Sequence, residues 1–546
     1  MRLHKQKPLE GYDGKALQVS ERARARGLLE TLAEAGADIR QGVDPQLVAR
    51  EHSLQQQLNT KAEQQMKVLG SKHTEERAQA IAGEIESLTT EFQQVEAQIR
   101  QNSPRYAALT QPQPLLLKQI QTQVLDEDTL LLEYSLGNEH SYLWAVTPSS
   151  ITSYELPKRD EIEAAARQVY ALLTVTGQWK TNAAAGRQLT REQAQTPFSP
   201  EAATRLSQMV LAPVAAQLGN KRLLIVADGA LEYIPFAALP SPVGSGLVAV
   251  SETTGSEKPT TDRYQPLVVD HEIVSLPSAS TLAVLRQEVK DRKPADKTVA
   301  VLADPVFESD DERVGQARKG AAAASRDNPL RAKNRALGLE QAATESGLMG
   351  AELKISRLPG TRDEATQILS LVPPEQRKGA FDFAASRQTA TSAELSQYRY
   401  VHFATHGFLN SLHPELSGIV LSMVDEKGNP QDGFLRAHEV FNLKLTADLV
   451  VLSACETGLG KEVKGEGLVS LTRGFMYAGA PRVVVSLWSV NDKATAELMA
   501  RFYRGMLRDK MRPAVALRAA QISLMKERAW QSPFYWAAFT IQGEWR

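Results

Sequence analysis

Two side chains in this sequence have the types and setting for covalent chemistry. Cys455, the single cysteine of the 546 residues, stands near the end of the run Leu452-Ser453-Ala454-Cys455-Glu456-Thr457-Gly458. His406 stands near the end of a second run, Phe403-Ala404-Thr405-His406-Gly407. A thiol is a good nucleophile at neutral pH only when a neighbouring base lowers its pKa or removes its proton, and a histidine can do either. Such a pair attacks a carbonyl carbon and forms a thioester. The tetrahedral intermediate then needs N–H donors, which the backbone of Gly407 and Cys455 can supply beside a glycine that lets substrate approach closely. A lone buried cysteine is ordinarily a small apolar core residue; its pairing with His406 makes the catalytic reading the stronger one. His402, on the same run, reads as a packed core histidine. The two histidines are four apart on a strand and not on a helix, so they do not form the two-histidine metal face of an H-E-x-x-H site. No metal and no cofactor is expected.

The elements that must position these groups are legible over the last 150 or so residues. Strands are predicted at Tyr400–Thr405, Leu449–Ser453 and Arg482–Trp488, and helices at Leu468–Tyr477 and Lys493–Leu507. That is a parallel βαβ arrangement, right-handed by strong preference. Ligands of open parallel sheets bind at the carboxyl ends of the strands, where His406 and Cys455 fall. Further upstream, short β-type runs at Leu130–Tyr134, Tyr142–Val146, Leu223–Val226, Leu267–Leu276 and Thr298–Leu302 alternate with helical stretches such as Arg159–Thr174, so the fold class is α/β. Two segments, Pro240–Asp262 and Glu308–Gly347, read as surface loops.

The first hundred residues have a different texture. Asp44-Pro45 opens a helix whose apolar residues Leu47, Leu54, Leu58, Met66 and Leu69 recur at helical spacing. A second helix carries Ile81, Ile85, Leu88, Phe92, Val95 and Ile99 in alternating steps of four and three, the seam of a coiled-coil-like pair. Residues 1–112 are therefore expected to be a helical region containing a hairpin. It either packs on the next domain or docks a regulatory protein.

Lysine and arginine number 63 against 64 acidic residues, a net charge of −1. This gives no general attraction for nucleic acid or anionic membrane. The opening residues lack the apolar core of a signal peptide and no apolar run is long enough to span a bilayer, so no membrane association and a cytoplasmic location are expected. A single cysteine agrees with a reducing compartment.

The separation of His406 and Cys455, 49 residues, is near the value of about 50 known between the paired residues of caspases. The two runs, together with GEGLVSLTRGFMYAGA (465–480), SLWSVND (486–492), RLLIVADGALEYIPFAALP (222–240), LPSAS (276–280) and LPGTRDEA (358–365), resemble the CHAT domain, a branch of the caspase and separase clan of cysteine peptidases. The resemblance covers residues 113–546. It implies a caspase-like, parallel-dominated sheet flanked by helices, with a pseudo-half at 113–295 and a catalytic half at 296–546. It also implies a cysteine endopeptidase acting on a protein or peptide, with His406 as general base and acid and Cys455 as nucleophile. The opening GYDGKALQVSERARARGLLE is similar to the helical junction between tetratricopeptide repeats and CHAT domains of bacterial proteins. Those repeats are not in this sequence, so a piece of a longer chain or a short member of the family is expected. The caspase pentapeptide Q-A-C-x-G is not present, so aspartate specificity does not carry over.

Three residues are candidates for substrate binding. Asp492, just past a strand end, would receive a basic side chain, although an aspartate before a helix is also a favoured N-cap. Trp488 would border an added substrate strand or lie in the core. Glu466 precedes a helix, where it favours the dipole or reaches the pocket. Thr361 to Glu364 spells a capping box, leaving Arg362 as a helix-start residue and the alternative specificity group. A different class of function, a catalytically silent scaffold for protein interaction in signalling, uses the same fold, and acyl transfer to an amine uses the same pair.

Overall fold

The structure, a computed structural model, describes residues 10–34, 114–181, 200–242, 264–314, 355–408, 417–456, 466–488 and 491–546, with scattered positions between 4 and 99. The side chains of 25–34, 175–181, 408, 438, 454–456 and 466–470 lie outside that set. Most of the two predicted loops, at 240–262 and 308–347, is likewise outside it.

Two compact units are present, one made of Met1–Glu21 with Leu115–Arg546 and the other of Arg22–Pro114. In the second unit Leu54, Val95 and Ile99 are buried together, with Leu47, Leu88 and Phe92 packed against them. Arg50 pairs with Glu91 and Lys61 with Glu84. Rising numbers on one stretch thus meet falling numbers on the other, so the described residues of the two run antiparallel. Asp44 accepts from the Gln46 N–H as the expected cap.

Among the described residues the larger unit is built on one mixed sheet of thirteen strands. In chain order these are β1 (Thr129–Ser135), β2 (Ser141–Val146), β3 (Ile151–Leu156), β4 (Arg222–Val226), β5 (Ile273–Ser275), β6 (Lys297–Pro305), β7 (Arg377–Asp382), β8 (Tyr398–Phe408), β9 (Gly418–Val420), β10 (Phe434–Arg436), β11 (Leu449–Glu456), β12 (Arg482–Ser486) and β13 (Phe539–Gly543). The strands β7, β6, β8, β11 and β12 run parallel in that order. β13 joins antiparallel to β12 and parallel to β5, and β4, β1, β2 and β3 continue the sheet. The predicted strand at Leu267–Leu276 is shorter than its apolar run. Leu267–Val269 forms a 3-10 turn that buries Leu267 and Val268, and only Ile273–Ser275 pairs.

The helices used below are α1 (Tyr12–Glu34), α2 (Arg159–Thr181), α3 (Ala279–Val289), α4 (Gly360–Ser370), α5 (Glu466–Tyr477) and α6 (Asp492–Leu507). Within the larger unit, the buried carboxylate of Glu21 on α1 accepts from the N–H groups of Ala279 and Ser280 at the start of α3. Those N–H groups have no partner within the helix, and an anion at a helix N-terminus satisfies them while matching the dipole.

Side-chain alternation divides the core. On β8, Tyr400 and Ala404 belong to the cluster shared with α4 and α6, and Val401 and Phe403 to the cluster on the α5 face. On β11, Leu449 and Val451 take the first face and Val450 and Leu452 the second. Strands buried on both faces read as continuous apolar runs, as Leu449 to Leu452 does. With a period of two, His406 continues the α4/α6 face.

That face holds a buried polar cluster. His402 Nε2 lies 3.0 Å from Glu364 Oε1, an ion-pair distance without good hydrogen-bond alignment. His402 Nδ1 is 3.1 Å from the Tyr503 hydroxyl, and Ser453 Oγ donates to Glu364 Oε2 over 3.2 Å. Burial raises the Tyr503 phenol well above its ordinary value, so it stays protonated. His402 is the core histidine expected, with Glu364 of α4, Tyr503 of α6 and Ser453 of β11 around it. Glu364→Gln removes the negative end of this cluster, and hydrogen bonds to charged groups contribute about 2 kcal/mol. The expected result is a lower denaturation midpoint at unchanged slope; an unshifted midpoint would mean that the cluster adds no stability.

Candidate active site

The site is built where β8 outruns β6. β6 pairs with β8 only as far as Ala303 opposite Ala404. Beyond that point β9 takes over, placing Val420 opposite His406 and Ile419 opposite Gly407. The Thr405 hydroxyl donates to the Val420 carbonyl and fastens the exchange. On its other edge β8 keeps its register with β11 to the end, and Cys455 is the register partner of His406. The two residues therefore stand side by side on adjacent parallel strands, at the carboxyl end of the sheet. Only the backbone of Cys455 is among the described residues.

His406 is nearly buried and packs on Phe307, with ring centroids 5.2 Å apart. Its Nε2 lies 2.7 Å from the Ser356 carbonyl. A carbonyl only accepts, so Nε2 carries the proton and Nδ1 is the basic nitrogen. Among the described residues Nδ1 has no hydrogen-bond partner. Burial lowers the His406 pKa, while the Ser356 carbonyl and the Asp492 charge partly oppose the shift. The ring is held neutral and available as a base. Nothing in the sequence marked Ser356 or Phe307, because a backbone acceptor can belong to any residue type and a phenylalanine is by default core.

Asp492 is the first residue of α6, and the cap is its neighbour: Asn491 Oδ1 accepts from the Lys493 and Ala494 N–H groups at 3.2 and 3.3 Å. The capping explanation thus passes to Asn491. Asp492 is half-buried, its charge acts on His406, and Gly360 presses so closely that a Cβ there would lie 2.3 Å from the Asp492 Cβ. The N-termini of α4 and α6 therefore meet at Gly360 and Asp492, and the positive ends of two helices suit a carboxylate.

The remaining candidates separate. Trp488 is buried, its Nε1–H donates to the Phe534 carbonyl, and Tyr170 of α2 stacks edge-on against it. The neighbouring Leu487 N–H donates to the Ala538 carbonyl. The core alternative describes Trp488, because its ring and the strand edge beside it are already occupied. Glu466 begins α5, with its side chain outside the described residues. Gly407 lies in the ladder between Glu456 and Ile419.

The capping box is a correction. α4 begins at Gly360 after Pro359, Thr361 Oγ1 accepts from the Asp304 N–H and donates to the Leu358 carbonyl, and Glu364 turns inward to His402. Arg362 is also engaged, donating to Asp304 over 2.7 Å and to Asp382, with its guanidinium over Phe381. A guanidinium held by two carboxylates is a poor receiver for an acidic substrate side chain, so Arg362 loses the alternative specificity role. Among the described residues no group of three or more histidine, cysteine or acidic side chains is arranged to hold a metal, and no helix is long and apolar enough to cross a membrane.

Comparison with known proteins gives three kinds of likeness. Tetratricopeptide repeat protein 28 is 29% identical over 221 residues in Mus musculus and 29% over 215 residues in Homo sapiens, each match covering 34% of this chain. The chain spans only 8% of the length of those relatives. Among solved structures, two of the Saccharomyces cerevisiae separase–securin complex align at 10% identity with TM-scores of 0.45 and 0.43, covering 97% of this chain and 40% and 41% of theirs. The profile of the CHAT domain matches residues 200–544, well over half of the 546. That stretch contains β8, β11, α4 and α6 with the residues between them, and the chain belongs to the CHAT domain family.

Proposed function

We propose that this protein is a cysteine endopeptidase in which His406 and Cys455 form the catalytic dyad. The observation that carries the reading is the register of β8 on β11, which sets the two residues opposite one another where the strands end, beside a histidine whose Nδ1 is unpartnered among the described residues. His406 Nδ1 takes the thiol proton, the thiolate attacks the scissile carbonyl, and the N–H groups of Gly407 and Cys455 are the proposed donors to the oxyanion. The imidazolium then protonates the leaving amine, and water releases the acyl group from the thioester. Asp492, whose charge already acts on His406, is the proposed receiver of an arginine or lysine on the acyl side of the cut.

The test is a thiol-directed peptide probe carrying a basic residue. It is expected to label wild type and not Cys455→Ala. A protein that is folded but unlabelled, with no cleavage of basic or acidic peptides, favours the silent scaffold.

The histidine environment also sets the pH response. Burial holds the folded pKa of His406 below its ordinary value of 6.5, so the acidic limb of kcat/KM is expected below that pH. Asp492 raises the His406 pKa, and its removal moves the limb lower still. Linkage has the same sign: folding favours the neutral ring, a contribution complete above the unfolded pKa and lost as pH falls through the folded one. A pH profile with its acidic limb above 6.5 would assign the base to another group.

A further inference from the structure

At the end of β6 the chain makes a departure that the dyad alone does not explain. Asp304 is fully buried and has a left-handed backbone, φ 50°, uncommon for a residue other than glycine although aspartate tolerates it better than most. The β6–β7 register shifts at the same place. Three arginines converge on this carboxylate. Arg357 grips it with two parallel bonds, Nε to Oδ1 at 2.9 Å and Nη2 to Oδ2 at 2.8 Å. Arg362 Nε adds a bond of 2.7 Å to Oδ2, and Arg313 Nη1 lies 3.1 Å from Oδ1.

Arg357 directly follows Ser356, whose carbonyl accepts from His406 Nε2. On the other side of Ser356, the Ile355 side chain packs against the cluster of Phe307, Val420 and Phe434, and Phe307 in turn contacts the His406 ring. The short segment carrying the acceptor carbonyl is thus fixed at both ends, by an ion pair and by packing. Two-point guanidinium–carboxylate contacts define orientation as well as distance.

We propose that Asp304, acting through Arg357, is the positioning residue of the site: the clasp holds the Ser356 carbonyl against His406, keeps the proton on Nε2 and so keeps Nδ1 basic. This rests on the dyad reading for its kinetic consequence but not for its effect on the ring. Without the clasp the carbonyl is no longer held, and both tautomers of His406 become accessible.

The experiment compares Arg357→Gln with Arg362→Gln. Each removes one cation from Asp304 and leaves the other two, but only Arg357 adjoins Ser356. Arg357→Gln is expected to lower kcat roughly 10- to 100-fold, the scale of a misplaced catalytic group, with KM within about twofold. Arg362→Gln should leave both near wild type while lowering the melting temperature. The second readout is 15N NMR of the ring nitrogens at neutral pH, with the His406 signals identified by their loss in His406→Gln. Wild type and Arg362→Gln are expected to show the Nε2–H form alone, and Arg357→Gln a mixture of both forms. Asp304→Asn should behave as Arg357→Gln where it folds. Equal kinetic losses in the two arginine variants, or a pure Nε2–H ring in Arg357→Gln, would overturn the proposal. If wild type proves inactive, the dyad reading falls and the ring tautomer still decides the clasp.

Discussion

Replacing Cys455 by alanine is expected to abolish peptide cleavage, with a loss of at least about 10⁴-fold in kcat, and His406→Ala to do the same. In the proposed mechanism the two act as one unit, base and nucleophile on adjacent strand ends, so the double variant should be no worse than either single one. Their stability costs differ. Cys455→Ala removes one sulfur atom and should leave the melting temperature nearly unchanged. His406 is buried against Phe307 and bonded to Ser356, so His406→Ala empties a packed site and should lower it. His406→Gln keeps most of the volume and tests the chemistry more cleanly. The measurement is single-turnover cleavage of an arginine- or lysine-containing peptide, alongside thermal unfolding. Retention of more than a few per cent of activity in Cys455→Ala would remove the cysteine from the mechanism.

Asp492→Asn is expected to lower kcat/KM for basic substrates by about 10²- to 10³-fold, since a site built to pair a charged group discriminates strongly when one partner is lost. Asn491 caps α6, so the asparagine variant disturbs neither the helix nor its cap, and its melting temperature should stay close to that of wild type. The same variant tests the electrostatics independently. Asp492 raises the pKa of His406, and with the charge gone the acidic limb of the pH profile should move further down. Loss of basic-substrate cleavage together with this shift supports the pocket assignment. Normal cleavage of basic peptides at unchanged limb would detach Asp492 from both roles, and since Arg362 is already held by Asp304 and Asp382, a different receiver would then have to be found.

What the sequence by itself determined follows from local and periodic rules. The apolar runs ending at His406 and Cys455 are strands because residues buried on both faces of a parallel sheet must be apolar throughout, and the alternation on β8 and β11 follows from a side-chain period of two. The helices after them, and the shared burial of Leu54, Val95 and Ile99, follow from a period near 3.6. The tertiary structure decided what each polar group does. Thr361 and Glu364 have capping-box spacing, yet Glu364 faces a buried His402 that needs a partner, and pairing a buried polar group outweighs a cap that solvent can replace. Asn491 took the cap that Asp492 was also suited for, which left the aspartate's charge to act on His406. Trp488 went to the core because its indole found the Phe534 carbonyl. The Ser356 carbonyl, the left-handed Asp304 and the arginines around it carry no local signal, because backbone acceptors are common to every residue and the partners of Asp304 come from positions 313, 357 and 362, which only folding brings together.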